Sequence, residues 1–383
     1  MADHPRFPDN FARILLVAGP AHGDVLLATP LLTSLRRAYP QATLDVLVYR
    51  GQSGILEGNT DVDEVLTASK HPGVREYWRL LRRLIRKYDL AISTKYTDRA
   101  VLYAILAGRC RLAIVPAEKN AWKRWLTQAS IPYDHYRAHT VTQNNALTAL
   151  LGIDPCHVIR PPVAADAKQV VAGLMPATVR EKPYAVVHLN PGVPYKRWTL
   201  AGWAVVTAWL DQQQLPIVLT GDGSTNEMEY MQGIVRQMPV APIDLAGKLR
   251  FADVTELLTH CTLYVGTDTV TSHIAAAVGA PTVVLFGPES PRVWGPWPDG
   301  YAGDNSPFRG GGDQQTGNVR VVQTTVPCAT CRQGHCLRRS EKGRSCSLME
   351  TLDAAHVIEG VARILERDPV SGRPHVGLLL QGE

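Results

Sequence analysis

The chain has 383 residues, 45% of them hydrophobic and 20% charged, with 40 Lys and Arg against 35 Asp and Glu for a net charge of +5. That length exceeds what one core usually organises, so two domains are expected; the mild basic excess suits phosphorylated ligands or an anionic lipid surface and lacks the dense basic stripe of a nucleic-acid binder. No apolar run approaches the roughly 20 residues that span a bilayer, and the opening Met1-Ala2-Asp3-His4-Pro5 has no signal-like basic and apolar regions, so the cytosol is the expected compartment.

Apolar strand-like runs alternate with amphipathic stretches, the pattern of parallel β-α units. Arg13 to Ala18 reads as a buried strand, Gly19 to Gly23 as a loop, and Asp24 to Tyr39 as a helix that Pro30 either kinks or truly starts. Thr43 to Tyr49, Glu64 to Leu66, Asp89 to Thr94 and Arg111 to Val115 supply further strands. Val74 to Tyr88 has a helical apolar stripe (Val74, Tyr77, Trp78, Leu81, Leu84, Ile85, Tyr88) backed by Arg75, Arg79, Arg82, Arg83, Arg86 and Lys87. From Gly152 to Pro183 the sequence turns irregular and proline-bearing, as a linker does. A second α/β series follows, with strands at Tyr184 to Asn190, Pro216 to Gly221, Leu263 to Gly266 and Pro281 to Phe286, and helices at Leu200 to Gln213, Asn226 to Met238, Asp253 to His260 and Val270 to Val278. The expectation is two doubly wound domains, residues 1–178 and 179–350, with a helix near 352–367 packing back on the first. Ligands of such sheets bind beyond the carboxyl ends of the strands, which directs attention to a cleft between the domains.

Three strand-to-helix turns can carry chemistry. In Gly19-Pro20-Ala21-His22-Gly23-Asp24 the aspartate either caps a helix or serves as a general base toward a substrate hydroxyl, and local pattern does not separate the two. The spacing is neither a dinucleotide fingerprint nor a P-loop, which argues against a nicotinamide dehydrogenase. In Asn190-Pro191-Gly192-Val193-Pro194-Tyr195-Lys196-Arg197 the backbone amides, Lys196 and Arg197 can reach an anion. In Gly266-Thr267-Asp268-Thr269-Val270-Thr271-Ser272-His273 a helix start with Thr269, Thr271 and Ser272 suits a pyrophosphate, with Thr267 or Asp268 as alternative caps.

Metal signatures are weak. Asp61-Val62-Asp63 is the only D-x-D motif, and Cys328, Cys331, Cys336 and Cys346, with His335 nearby, suit a structural zinc site in number but not in paired spacing. An odd total of seven cysteines fits free thiols in a cytosolic chain better than a disulfide framework. In the first half, the arginine face with Arg79 and Arg83, together with the cluster Glu118-Lys119-Asn120-Ala121-Trp122-Lys123-Arg124-Trp125, is either a solvated helix surface or a grip on anionic lipid or phosphate.

Taken together, His22-Gly23-Asp24-Val25-Leu26-Leu27-Ala28-Thr29-Pro30, Leu245-Ala246-Gly247-Lys248-Leu249-Arg250-Phe251, Gly266-x-Asp268 with His273-Ile274-Ala275-Ala276-Ala277-Val278, and Leu285-Phe286-Gly287 with Trp294-x-Pro296-Trp297 resemble glycosyltransferase family 9, the lipopolysaccharide core heptosyltransferases. The likeness is nearest to the heptosyltransferase III type and runs from about residue 12 to 365. It implies a GT-B fold of two facing Rossmann-like domains, with the acceptor on the first and the donor on the second. It also implies inverting transfer of heptose from ADP-heptose to a heptose of the lipopolysaccharide inner core, with no metal cofactor, at the cytoplasmic face of the inner membrane. By position Asp24 resembles the family's base, Lys196 its phosphate-binding lysine, and Asp268 and His273 its donor-site residues, with Gly247 in the neighbouring stretch; Glu227 or Glu229 would hold ribose hydroxyls. Acceptor binding would fall to Arg79, Arg83, Lys119, Lys123 and Arg124. Val270 departs from the small residue of many relatives, which keeps another nucleotide-sugar open as donor; the basic first half keeps open a noncatalytic glycolipid-binding paralogue.

Overall fold

The computed structural model describes residues 7–117, 121–324 and 345–366. It divides into two compact units, Met1–Pro162 with Ala302–Asn305, and Val163–Tyr301 with Ser306–Glu383. The division falls inside the proline-bearing stretch, earlier than residue 178, because Ala167–Leu174 is a helix that packs on the helix Phe251–His260 of the second unit. Arg250 bonded to Asp166 at 2.8 Å ties the same two segments.

The first unit holds strands β1 (Arg13–Val17), β2 (Thr43–Tyr49), β3 (Glu64–Ala68), β4 (Tyr88–Ser93), β5 (Gly108–Val115) and β6 (Ala129–Pro132) in the order β3-β2-β1-β4-β5-β6. All pairings are parallel. β1 lies at the centre, with Leu16 opposite Val46 on one side and Ile92 on the other. Its continuous run of Ile14, Leu15, Leu16 and Val17 is what a strand covered on both faces requires. The chain winds outward from β1 through β2 and β3, then returns to β1's other side as β4, so the sheet has its switch point between β1 and β4.

The helix after β1 is broken into His22–Leu26 and Thr29–Ala38. Pro30 sits in the first turn of the second piece and has no N–H to give to the carbonyl of Leu26; the Thr29 hydroxyl donates to that oxygen instead, at 2.7 Å. The arginine-rich helix is shorter than expected, Val74–Leu84, and Tyr88 belongs to β4 rather than to its stripe. Tyr88 is drawn inward because its hydroxyl donates to the buried Asp45 at 2.7 Å, while Arg86 makes the turn with a positive φ of 55°.

The second unit orders β12-β13-β11-β10-β7-β8-β9, with β7 (Ala185–His188), β8 (Ile217–Thr220), β9 (Ile243–Asp244), β10 (Leu263–Thr267), β11 (Thr282–Leu285), β12 (Gln314–Thr316) and β13 (Val319–Val322). Only the β12 to β13 pairing is antiparallel. The arrangement repeats that of the first unit, with its switch point between β7 and β10. The C-terminal helix Ala354–Glu366 packs on this sheet through Val357, Val361, Ile364 and Leu365, within the core that includes Trp203 and Val322, so the expected return to the first domain gives way to burial of that stripe here. Two α/β units of this kind, each a mostly parallel sheet flanked by helices, bear out the two doubly wound domains expected from the alternation of strands and helices and make up the GT-B class of fold that the resemblance implies.

Candidate active site

In each unit an aspartate and a lysine meet at the switch point. In the first, Asp24 leaves the loop after β1 and Lys95 the loop after β4, with Lys95 Nζ 2.7 Å from Asp24 Oδ1 and both side chains buried. Asp24 is the third residue of its short helix, and its Oδ2 accepts the N–H of Ala21 at 3.2 Å. Capping and general-base use are the alternatives the sequence leaves open; the geometry has one oxygen capping while the other faces an ammonium. A buried carboxylate is tolerable only with such a counter-charge. Lys95 was not singled out from the sequence, and its one signal is its place directly after an apolar strand.

The approach of these side chains depends on Gly19. A Cβ at that position would lie 2.5 Å from Asp24 Oδ2 and 2.6 Å from Lys95 Cε. Gly19→Ala is therefore expected to displace the pair, costing about 1–3 kcal/mol of stability as overpacking does. It should also reduce turnover, and a melting curve and rate equal to wild type would refute this packing argument.

In the second unit Lys196 follows β7 and Asp268 follows β10. Lys196 Nζ lies 2.5 Å from Asp268 Oδ2, with the aspartate buried and the lysine partly buried. Burial alone would lower the lysine's pKa, but the Asp268 and Glu289 carboxylates outweigh it and hold the ammonium above its ordinary value. The loop is braced on both sides of Lys196. Tyr195 OH donates to Glu289 at 3.1 Å, and the N–H of Cys346 donates to the Tyr195 carbonyl. The Trp198 indole N–H donates to the Leu352 carbonyl at 3.0 Å. Arg197 is spent on structure rather than presented to a ligand: its Nε donates to Asn190 at 2.9 Å and its guanidinium covers the Tyr230 ring.

The helix Val270–Ala277 begins one residue later than an Asp268 cap and two later than a Thr267 cap would require, with Thr269 at its N-cap and Thr271, Ser272 and His273 buried in its first turns. Ser272 donates to the Thr267 carbonyl at 2.5 Å and meets Tyr264 OH at 2.9 Å, an approach that Gly266 allows, since a Cβ there would lie 2.3 Å from the tyrosine oxygen. The first N–H groups of a helix have no intrahelical partner, so this turn aims donors and the positive end of the dipole beyond β10, beside Lys196.

At the neighbouring strand ends, Gly221-Asp222-Gly223 after β8 and Ala246-Gly247 after β9 pack backbone to backbone. Gly247 N–H donates to the Gly221 carbonyl at 2.9 Å, and a Cβ on Gly223 would lie 2.8 Å from Gly247 Cα. Both Gly223 and Gly247 have positive φ, so neither side tolerates a side chain. Glu227, expected to hold a ligand hydroxyl, is turned into this loop, where its Oε2 accepts the N–H groups of Asp222 and Gly223. Burial and the Asp222 carboxylate push the Glu227 carboxyl up to about 8, while hydrogen bonding with Glu227 and then with Ser224 holds Asp222 down to about 2. Burial likewise pushes His188, at the end of β7, down to about 4, so it is neutral at physiological pH. A raised carboxyl pKa stabilises the fold fully below the unfolded value and loses that contribution as pH rises through the folded one. Thermal stability should therefore fall between pH 4.5 and about 8 by way of Glu227. Glu227→Gln should flatten that decline, and an unchanged profile of melting temperature against pH would refute the assignment.

Other sequence-derived candidates separate. Lys123 is buried, bonded to Asp98 at 2.6 Å and to the Tyr96 carbonyl, so it is a structural cation rather than a surface one. Arg79, Arg83 and Arg124 are exposed, with Arg83 paired to Glu64. Asp61 accepts from Thr33 and Arg160, and Asp63 from Arg36, so the D-x-D motif is spent on ion pairs. Lys119, Cys328, Cys331, His335 and Cys336 lie outside the described residues. Cys346 is buried, and no cluster of metal-ligating side chains occurs among the described residues.

Two such units, each with a charged pair at its switch point and one with an anion-suited helix start, have the architecture of a GT-B glycosyltransferase. The chain belongs to glycosyltransferase family 9 (heptosyltransferase), whose family model matches residues 77–304. It is similar to the lipopolysaccharide heptosyltransferase 3 of Escherichia coli strain K12, 29% identical over 289 residues that cover 72% of this chain and 83% of that one. The lipooligosaccharide heptosyltransferase 2 of Haemophilus influenzae is 24% identical over 74% of this chain and 86% of its own length. Among solved structures, the fold matches a family 9 glycosyl transferase from Veillonella parvula DSM 2008 with a TM-score of 0.73 at 17% identity, covering 94% of this chain and 98% of that one. It also matches the E. coli ADP-heptose lipopolysaccharide heptosyltransferase II with a TM-score of 0.70 at 19% identity, covering 94% and 100%.

Proposed function

We propose that this protein transfers a heptose from ADP-heptose, with inversion and without a metal ion, onto a heptose of the lipopolysaccharide inner core, as a transferase of the heptosyltransferase III type. The observation that carries the reading is the buried Asp24 carboxylate, held by Lys95 at the switch point of the first sheet. Its support beyond geometry is family membership, together with the names of the relatives, heptosyltransferase 3 of E. coli among them.

In this reading Asp24 takes the proton of the acceptor hydroxyl as that oxygen forms its bond to the anomeric carbon and the bond from that carbon to the ADP oxygen breaks. Lys196 and the helix start at Thr269 to Thr271 meet the charge that builds on the departing diphosphate, with Asp268 and His273 completing the donor side. Gly247 and the loop around Glu227 form the wall next to the nucleotide. The protein works in the cytoplasm at the inner face of the membrane, a placement supported by exposed Trp78, Trp122 and Trp125 among Arg75, Arg79, Arg82 and Arg124.

Two measurements test the proposal together. Purified protein should turn over ADP-heptose in preference to UDP- and GDP-sugars, and core oligosaccharide from a strain lacking this gene should be short of one heptose by mass spectrometry. An intact core, or preferred turnover of a different nucleotide-sugar, would overturn it.

A further inference from the structure

An aromatic cluster stands beside Lys95 in the first unit. Tyr96 follows Lys95 directly in the chain. Its ring centroid lies 4.6 Å from that of Tyr133, and His135 packs edge-on against both, at 5.5 Å from Tyr96 and 4.3 Å from Tyr133. These residues come from different strand ends: Tyr96 from the loop after β4 and Tyr133 from the residue after β6. β5 separates the two strands, a span of roughly 10 Å at ordinary strand spacing, so the rings reach toward each other over the carboxyl edge of the sheet. Asp24 and Lys95 occupy the same edge at β1 and β4.

The cluster is built firmly and left open to solvent. The carbonyl of Tyr96 accepts from buried Lys123, which also bonds Asp98. The Tyr133 N–H donates to the Val115 carbonyl at the end of β5. The loop that carries His135 is pinned by Gln143, whose amide bonds both the N–H and the carbonyl of Asp134, and by Asp134 Oδ1, which accepts from Tyr136 and Arg137. Tyr96 and Tyr133 are nonetheless only half-buried, and His135 is exposed. Buried aromatic groups serve a core; a rigid group of rings held at a wet strand edge has the form of a ligand wall.

We propose that Tyr96, Tyr133 and His135 form the platform on which a sugar ring of the acceptor glycan stacks, setting its hydroxyl against Asp24. A pyranose has one face of C–H bonds and a rim of hydroxyls. The C–H face is what the electron-rich faces of these rings attract, while the rim is left to polar groups such as the Asp24 carboxylate. This gives the acceptor side an uncharged recognition element beside its arginines and rests on the reading of the protein as a transferase.

The test is direct binding of deacylated core oligosaccharide, followed by calorimetry, to wild type, Tyr133→Ala and Tyr133→Phe, with melting curves to confirm that each variant is folded. Loss of the ring should weaken binding about three- to tenfold, and the phenylalanine variant should bind as wild type does. ADP affinity should be unchanged in both. His135→Ala, away from the strand ends, should weaken binding in the same direction and serves should Tyr133→Ala fail to fold. Wild-type affinity in Tyr133→Ala and His135→Ala, equal losses in the alanine and phenylalanine variants, or no binding by the wild type would each overturn the platform. Binding that depends on these rings in a protein that turns over no nucleotide-sugar would instead leave the platform standing and refute the transferase reading.

Discussion

Replacement of Asp24 by Asn is expected to lower kcat by about 10²- to 10⁴-fold, the loss that follows removal of a general base, while leaving ADP affinity unchanged. The substitution is close to isosteric. The Asn carbonyl oxygen can still accept the N–H of Ala21, so the helix cap survives while the ability to take a proton is lost. A second consequence follows from burial. Lys95 would face a neutral amide in a site where its side chain is only 10% exposed, so the variant should also melt at a lower temperature than wild type. Steady-state kinetics with saturating donor, set beside ADP titrations and melting curves, separate the effects. Turnover at the wild-type rate would remove Asp24 from the chemistry and leave it as a cap.

The second large effect concerns Lys196. Lys196→Ala strands the Asp268 carboxylate in a buried position, and breaking a buried pair from one side costs about 3–5 kcal/mol. Loss of a preorganised charge at the leaving group should lower kcat by about 10²- to 10³-fold as well. These two outcomes are separable through the double variant Lys196→Ala with Asp268→Ala. Removing both partners should return much of the stability, since no charge is left uncompensated, yet the activity should stay low. A double variant that regains activity along with stability would reduce Lys196 to a structural cation, the standing that Lys123 has in the first unit.

Much of the candidate site was legible in the chain before folding. Strand-to-helix turns announce themselves through apolar runs ending in glycine, and all three turns singled out on that ground lie at strand carboxyl ends. Asp24, Lys196, Asp268 and Thr269 were found this way because the backbone period that makes a strand also dictates where its loop begins. Resemblance to family 9 then supplied roles that spacing alone left open. The rest is not legible locally for two reasons. Charge alone does not fix a side chain's partner: Arg197 and Lys123 carry anion-binding chemistry but bond Asn190, the Tyr230 ring, Asp98 and a carbonyl. Element ends slipped where a tertiary bond overrode the local pattern, as when Asp45 drew Tyr88 out of a helical stripe and into β4.

The sequence by itself determined the α/β class, the count of two domains, the strand-end loops of the candidate site and the aspartate at the head of the first helix. These are consequences of short-range periodicity, chain stiffness and steric demand, which neighbouring residues settle among themselves. Only the tertiary structure decided which charges meet. Lys196 and Asp268 are 72 residues apart in the chain, and what brings them to 2.5 Å is the strand order that sets β7 beside β10. The same holds for Lys95, which becomes the partner of Asp24 because β4 returns to the free side of β1. Strand order is chosen by the packing of whole layers, a sum over many weak apolar contacts, and no local stretch of sequence carries it.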